Sequence, residues 1–149
     1  MKELETAINI DAPADRVWAV VTDFASYPEW NRFMRSLKGD ARVGSRLEVT
    51  LQPPGRRPTT IRPTVVKMEG RELRWLGRLG LPRVFDGRHS LKVEPLSPTR
   101  TRFTQYERFT GVLVPFFGKL LRDSRRGFEE MNLALKARTE SLYPPESGP

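Results

Sequence analysis

The chain has no cysteine and a single histidine, His89. Without cysteine there are no disulfides and no thiolate metal sites, which suits a reducing interior. One histidine alone does not build a transition-metal centre, so neither a metal nor a cofactor is expected. No uninterrupted apolar run approaches the roughly 18 residues that mark a membrane span. The charged start Met1-Lys2-Glu3-Leu4-Glu5-Thr6 lacks the apolar core of a signal peptide. These gaps point to a cytoplasmic protein with no membrane span. Also missing are a glycine-rich phosphate loop, a nucleophile elbow, a metal-binding motif, an internal repeat and a linker. The 149 residues suffice for one domain with a proper core. That domain is expected over residues 1–142, followed by a disordered tail, 143–149, whose prolines and glycine cannot continue a helix.

Positive charge is present in excess, with 26 Lys+Arg against 18 Asp+Glu for a net +8. Arginine forks suit phosphate and carboxylate, so an acidic partner is one reading. Outside Arg56-Arg57 and Arg125-Arg126, however, the basic residues stand singly. Dispersal for solubility is therefore favoured over nucleic-acid binding. A homodimer is compatible with the sequence and not required by it.

The longest periodic stretch is Gly111 to Leu142. Leu113, Phe117, Leu120, Leu121, Ser124, Phe128, Met131 and Leu135 recur at three- and four-residue intervals, as one face of a helix requires. Lys119, Arg122, Arg126, Glu129, Glu130 and Lys136 take the opposite face. Ser124 and Gly127 are too small to fill space on or beside the stripe. A glycine inside a helix costs roughly 1 kcal/mol against alanine, so it asks for a steric reason. Either another element crosses closely there, the reading the helix alone favours, or space is left for a ligand.

The rest of the chain precedes this helix. Leu4, Thr6, Ile8 and Ile10 alternate with polar neighbours as a half-buried strand does. Asp11 is a potential cap and Pro13 a first-turn residue for a short helix burying Val17, Val21 and Phe24. Pro28 begins a second short helix or turn near Tyr27 and Trp30. From Met34 the text becomes strands and hairpins: 46–51, 60–68 with Pro63 forcing a bulge or an edge, 71–79, 84–94 and 101–109. Alternating arginines (Arg46, Arg62, Arg74, Arg88, Arg102, Arg108) are expected to face water. Short connections make an antiparallel meander, so the layout is α+β, with a curved sheet of about six or seven strands around the long terminal helix.

This order resembles the helix-grip superfamily of START lipid-transfer domains, pollen-allergen-like proteins and polyketide cyclases. Residues 12–18 and 23–31 are similar to the amino-terminal signature of bacterial polyketide-cyclase-like members. Leu73-Arg74-Trp75-Leu76-Gly77 and Glu107-Arg108-Phe109-Thr110-Gly111 are similar to later segments of an uncharacterised bacterial branch. The resemblance implies a deep cavity between sheet and long helix that holds a small apolar or lipid-like molecule.

Hairpin geometry supplies candidate lining residues. The inward sets are Phe85, Gly87, His89, Leu91 and Val93 on one strand and Phe103, Gln105, Glu107 and Phe109 on the next. A tight turn near Ser97-Pro98 sets His89 opposite Glu107, or one step away beside Gln105, and Trp75 flanks His89 from the other side. Trp75, His89, Gln105 and Glu107 then form a polar belt. Leu91, Phe103, Leu121, Ser124, Gly127 and Phe128 complete the expected ligand wall. The belt either orients the polar end of a bound apolar ligand, satisfies itself as a structural pair, or supplies Glu107 and His89 as a general acid/base pair. Trp18, Tyr27 and Trp30 are expected to anchor the short helices rather than gate a pocket mouth, Phe116 and Phe117 to pack in the core rather than form an entrance or a membrane-touching edge, and Arg125 to lie on a solvated face or meet a ligand carboxylate. The leading function is a binder or carrier of an apolar or aromatic molecule. The second is a cyclase or dehydratase acting on a polyketide-like or aromatic substrate, and the third an arginine-rich outer sheet docking on nucleic acid or an anionic surface.

Overall fold

The structure is a computed structural model that describes residues 1–78 and 80–144. Leu79 and the tail from 145 onward, where part of the disordered tail was expected, lie outside the described residues. Strand β1 (Lys2–Ile10) leads to helix α1 (Ala14–Thr22), a 3-10 turn at Phe24–Ser26 and helix α2 (Tyr27–Trp30). Strands β2 (Met34–Lys38), β3 (Glu48–Leu51), β4 (Thr59–Ile61), β5 (Thr64–Glu69), β6 (Glu72–Arg78), β7 (Asp86–Ser97) and β8 (Arg100–Thr110) follow. A 3-10 turn at Val114–Phe116 then precedes helix α3 (Gly118–Leu142). All strand pairs are antiparallel, in a five-stranded sheet ordered β1-β8-β7-β6-β5 and a three-stranded sheet ordered β2-β3-β4.

The expected strand over 60–68 is broken into β4 and β5 at Arg62-Pro63, because Pro63 has no N–H to donate. Its carbonyl still accepts from the Leu47 amide at 2.8 Å, and Val65 and Ser45 are bonded at 2.8 Å, so residues 44–47 stitch the two sheets together. This break accounts for more strands than the six or seven expected.

Alternation decides which side of β1 is buried: Leu4, Thr6 and Ile10 point inward against α3. Helix α3 buries Leu121, Gly127, Phe128, Met131, Asn132, Leu135 and Thr139 in the curve of the sheet. Burial of apolar area at roughly 25 cal/mol per Å² is the main term holding the layers together.

Three local expectations are corrected. The long helix starts at Gly118, not Gly111, because Gly111 adopts φ +123° and Pro115 closes a separate 3-10 turn. Asp11 does not cap α1, which begins after Pro13 without a side-chain cap. Instead the Asp11 carboxylate accepts from Arg100 Nε at 3.1 Å and its amide donates to Glu140 at 2.9 Å, tying β1 to the β7–β8 hairpin and to α3. Phe116 is not in the core; it is 79% exposed. The arginine alternation is observed: Arg46, Arg62, Arg88, Arg102 and Arg108 are exposed and Arg74 is partly so.

Candidate functional site

The interior of the grip is built on register. His89 lies directly across from Glu107 on β8 and from Trp75 on β6, while Gln105 faces Leu91. Inward residues of three strands thus meet in one row. The indole of Trp75 stacks on His89 with ring centroids 5.2 Å apart, and Phe128 of α3 meets the imidazole edge-on at 4.9 Å. His89 is only 3% exposed.

A hydrogen-bonded chain runs through this row. His89 Nε2 lies 3.0 Å from Gln105 Oε1. Gln105 Nε2 donates to the Phe128 carbonyl at 3.1 Å and to Asn132 Oδ1 at 2.8 Å. Asn132 Nδ2 donates to Thr6 Oγ1 at 3.0 Å. Both hydrogens of the Gln105 amide are used, so its oxygen must accept, and the donor inventory assigns the His89 proton to Nε2. His89 Nδ1 then faces Glu107 Oε2 at 3.5 Å. That contact is favourable only when the two groups share one proton, as imidazolium with carboxylate or as neutral imidazole with carboxylic acid.

The far end of the chain is sealed and the near end is open. Gln105 is fully buried and Asn132 and Thr6 nearly so, whereas the Glu107 side chain is 16% exposed. Next to it two inward glycines, Gly77 and Gly87, pair across β6 and β7. A Cβ on Gly87 would sit 3.1 Å from Glu107 Oε1, so the carboxylate leans into the room that glycine leaves. A Cβ on Gly77 would meet nothing closer than Pro63 at 3.9 Å. Around this end Ile61, Phe85, Phe117, Leu120 and Ser124 are only partly buried, unlike Leu91 and Phe103 deeper in, which are fully buried. Side chains are thus less completely buried near Gly77, Gly87 and the beginning of α3 than in the middle of the grip.

One charged contact joins the β3–β4 loop to the beginning of α3. Arg56, in the loop between β3 and β4, donates to Asp123 of α3 at 2.6 Å. That hydrogen bond holds the Asp123 carboxyl below the usual carboxylate range.

Not every expected wall residue lines open space. A Cβ built on Gly127 would run into the ring of Phe33, which packs edge-on against Phe128 at 5.5 Å. The close crossing, not a hollow, explains this glycine. Leu91, Phe103, Leu121 and Phe128 are core residues in the same rows. Arg125 turns away to the Glu5 carbonyl at 3.3 Å. Tyr27 is fully buried and its hydroxyl donates to the Val21 carbonyl at 2.5 Å, an anchor whose burial pushes its pKa up. The sequence did not single out Asn132, Thr6 or Phe33 for the site. A polar Asn132 beside the apolar stripe was the one available signal.

Two depressions stand elsewhere. One, of about 670 Å³, lies on the outer sheet face over Ala7, Ser90 and Thr104. At its edge the buried Glu72 is pulled to a pKa of about 2: burial works to raise it, but hydrogen bonds from Ser90, Lys67 and Arg74 prevail. Outer-face cations are partly neutralised in this way, with Lys92 on Glu94 at 2.9 Å and Arg62 on Glu48 at 3.4 Å. The other depression, of about 440 Å³, lies between α2 and the β3–β4 loop. Among the described residues no three His, Cys, Asp or Glu side chains cluster as a metal ion would need.

Residues 1–140 match the family described as polyketide cyclase / dehydrase and lipid transport. Among solved structures, a START superfamily protein from Mycobacterium smegmatis is 21% identical with a TM-score of 0.73, over 94% of this chain and 98% of that one. The Zhui aromatase/cyclase from Streptomyces sp. R1128 is 15% identical with a TM-score of 0.77, over 99% of both chains. A norcoclaurine synthase point mutant from Thalictrum flavum, in complex with a transition-state analogue, is 17% identical with a TM-score of 0.71, over 95% of both chains. At such identities the likeness is one of fold alone. No curated protein matches by sequence.

Proposed function

The chain belongs to the polyketide cyclase / dehydrase and lipid transport family, and from that premise we propose that it binds a small apolar, lipid-like or aromatic molecule at the open end of the grip. The observation that carries this reading is the Glu107 carboxylate, the one partly exposed end of an otherwise buried polar chain, leaning over Gly87 among half-buried apolar side chains. Apolar walls with a few convergent polar groups are how small-molecule sites hold and orient a ligand. Ile61, Phe85, Phe117 and Leu120 supply the apolar contact, and Glu107 backed by His89 receives a hydroxyl or carbonyl of the ligand.

Native mass spectrometry against lipid and aromatic libraries tests this, using Gly77→Val as the discriminating variant. A Cβ at Gly77 makes only ordinary contacts, with Pro63 at 3.9 Å and Ile61 at 4.0 Å, so the first added carbon is accommodated, and an unchanged melting temperature is required of the valine variant before its binding is compared. The wild type is expected to retain a compound and the variant to lose at least about tenfold in affinity, roughly 1.4 kcal/mol. No retained compound, or equal binding by Gly77→Val, would contradict the reading.

A second reading is acid–base catalysis of cyclase or dehydratase type on a polyketide-like or aromatic substrate. It is supported by the placement of His89 Nδ1 3.5 Å from Glu107 Oε2, two groups able to exchange a proton with a substrate oxygen bound beside them. Here Glu107→Gln abolishes turnover and leaves binding nearly intact; unchanged turnover removes Glu107 from the mechanism.

A further inference from the structure

Leu81, Val112 and Phe116 are 75%, 72% and 79% exposed, and they belong to two loops that are joined to each other. The Val112 amide donates to the Arg83 carbonyl at 3.0 Å and the Leu113 amide to the Val84 carbonyl at 3.0 Å. Gly111 makes the junction possible, since any side chain there would strike the backbone at Val84. Phe85 and Phe117, from the same two segments, pack with their rings tilted at 60° and centroids 4.9 Å apart just inside. Single exposed apolar residues are ordinary on a protein surface, but three on bonded neighbouring loops make a patch that calls for a partner. The patch is held in place: Arg83 adopts φ 71°, with its amide bound to Asp86 Oδ2 at 3.3 Å.

The charge around this tip has one sign. No Asp or Glu occurs in 78–85 or in 111–122, whereas Arg83, Lys119 and Arg122 are exposed there. The nearest carboxylates are already engaged, Asp86 with Arg78 at 3.7 Å and Asp123 with Arg56 at 2.6 Å.

We infer that the tip formed by residues 80–84 and 111–119 docks on an anionic lipid surface, with Leu81, Val112 and Phe116 entering the interface and Arg83, Lys119 and Arg122 meeting the headgroups. Apolar side chains ringed by cations fit the acyl–headgroup boundary of an acidic bilayer. A second copy of this chain fits less well, because it would set one cationic rim against another and the whole chain carries +8. The surface differs from the arginine-bearing outer sheet, where Arg62, Lys67, Arg74 and Lys92 are partnered by carboxylates. It does not rest on the ligand reading, because vesicles alone are the probe.

The test is co-flotation of the full chain with phosphatidylcholine vesicles and with mixed phosphatidylcholine–phosphatidylglycerol vesicles, at low and high salt. The wild type is expected to float with the mixed vesicles only, less so at high salt. Phe116→Asp and Leu81→Asp, at exposed positions, are expected to keep the wild-type melting temperature and lose at least about tenfold in vesicle affinity. Lys119→Gln is expected to weaken binding less and to flatten its salt dependence. The inference is overturned if the wild type does not float, if neither Asp variant reduces flotation, or if sedimentation shows a dimer that Phe116→Asp dissociates while no form floats.

Discussion

Gln105 is the residue on which the interior depends most, since it accepts from His89 and donates to both Asn132 and the Phe128 carbonyl. Gln105→Leu keeps the side chain's bulk but strands a buried imidazole N–H and a buried amide oxygen. Each unsatisfied group costs roughly 1–3 kcal/mol, so chemical denaturation should report a loss of several kcal/mol. A loss under about 1 kcal/mol would mean that the chain carries little weight. The outer face offers a pH test. Glu72 titrates at about 2 when folded, below its ordinary 4.5, so its stabilisation is complete above the unfolded value and is lost as pH falls from about 4.5 through about 2. The stability gap between wild type and Glu72→Gln should therefore be widest at neutral pH and close across that acid window. A gap that widens toward acid would contradict the assignment. At this scale the sequence was partly legible. Alternation placed Trp75, His89, Gln105 and Glu107 on one face, but the turn at 98–99 together with the bulge between Pro95 and Ser97 decided that His89 faces Glu107. Asn132 stayed hidden because a polar residue beside an apolar stripe reads as solvent-facing until its partner on another element is known.

Helix α3 shows why a small residue need not mean a hollow. At Gly127 helix propensity alone favours alanine by roughly 1 kcal/mol, whereas overpacking a filled core costs roughly 1–3 kcal/mol. The buried Phe33 ring occupies the position of the Cβ and has nowhere to retreat, so packing wins. Gly127→Ala is expected to destabilise, and Phe33→Leu in the same chain to recover part of the loss. Stabilisation by Gly127→Ala alone would show that the crossing is looser than described. Periodicity gave the helix its buried face correctly but not its start. Leu113 and Phe117 fit the helical spacing, yet Gly111 and Pro115 bend the chain into a separate turn that sends Phe116 outward. Likewise Pro63 announced an irregularity, and the structure resolves it as a break between two sheets rather than a bulge in one.

Across the whole molecule the antiparallel wall closes tightly over the middle and end of α3 and loosens toward the first turns of that helix. Fold class was legible because strand alternation, proline punctuation and one amphipathic terminal helix all pointed to the same layering. The place of the proposed ligand seat was not. It depends on Gly77 and Gly87 falling side by side across a hairpin, and on the Arg56–Asp123 contact between residues distant in sequence. That contact should hold the β3–β4 loop against α3. Asp123→Asn removes the charge that binds Arg56 and is expected to speed hydrogen exchange of the Gln52, Gly55, Arg56 and Arg57 amides several-fold while leaving β7 and β8 protected. Unchanged exchange would show that the loop is held by its prolines instead.

The most direct measurement of the account is a series of ¹H–¹⁵N spectra recorded as 2-naphthol and then oleate are added to the protein. Signals of Gly77, Gly87, Glu107 and residues 120–124 should move first, together with the His89 imidazole Nδ1. Movement confined to Ala7, Ser90 and Thr104 on the outer face, or no movement with either compound, would contradict a ligand seat at Glu107.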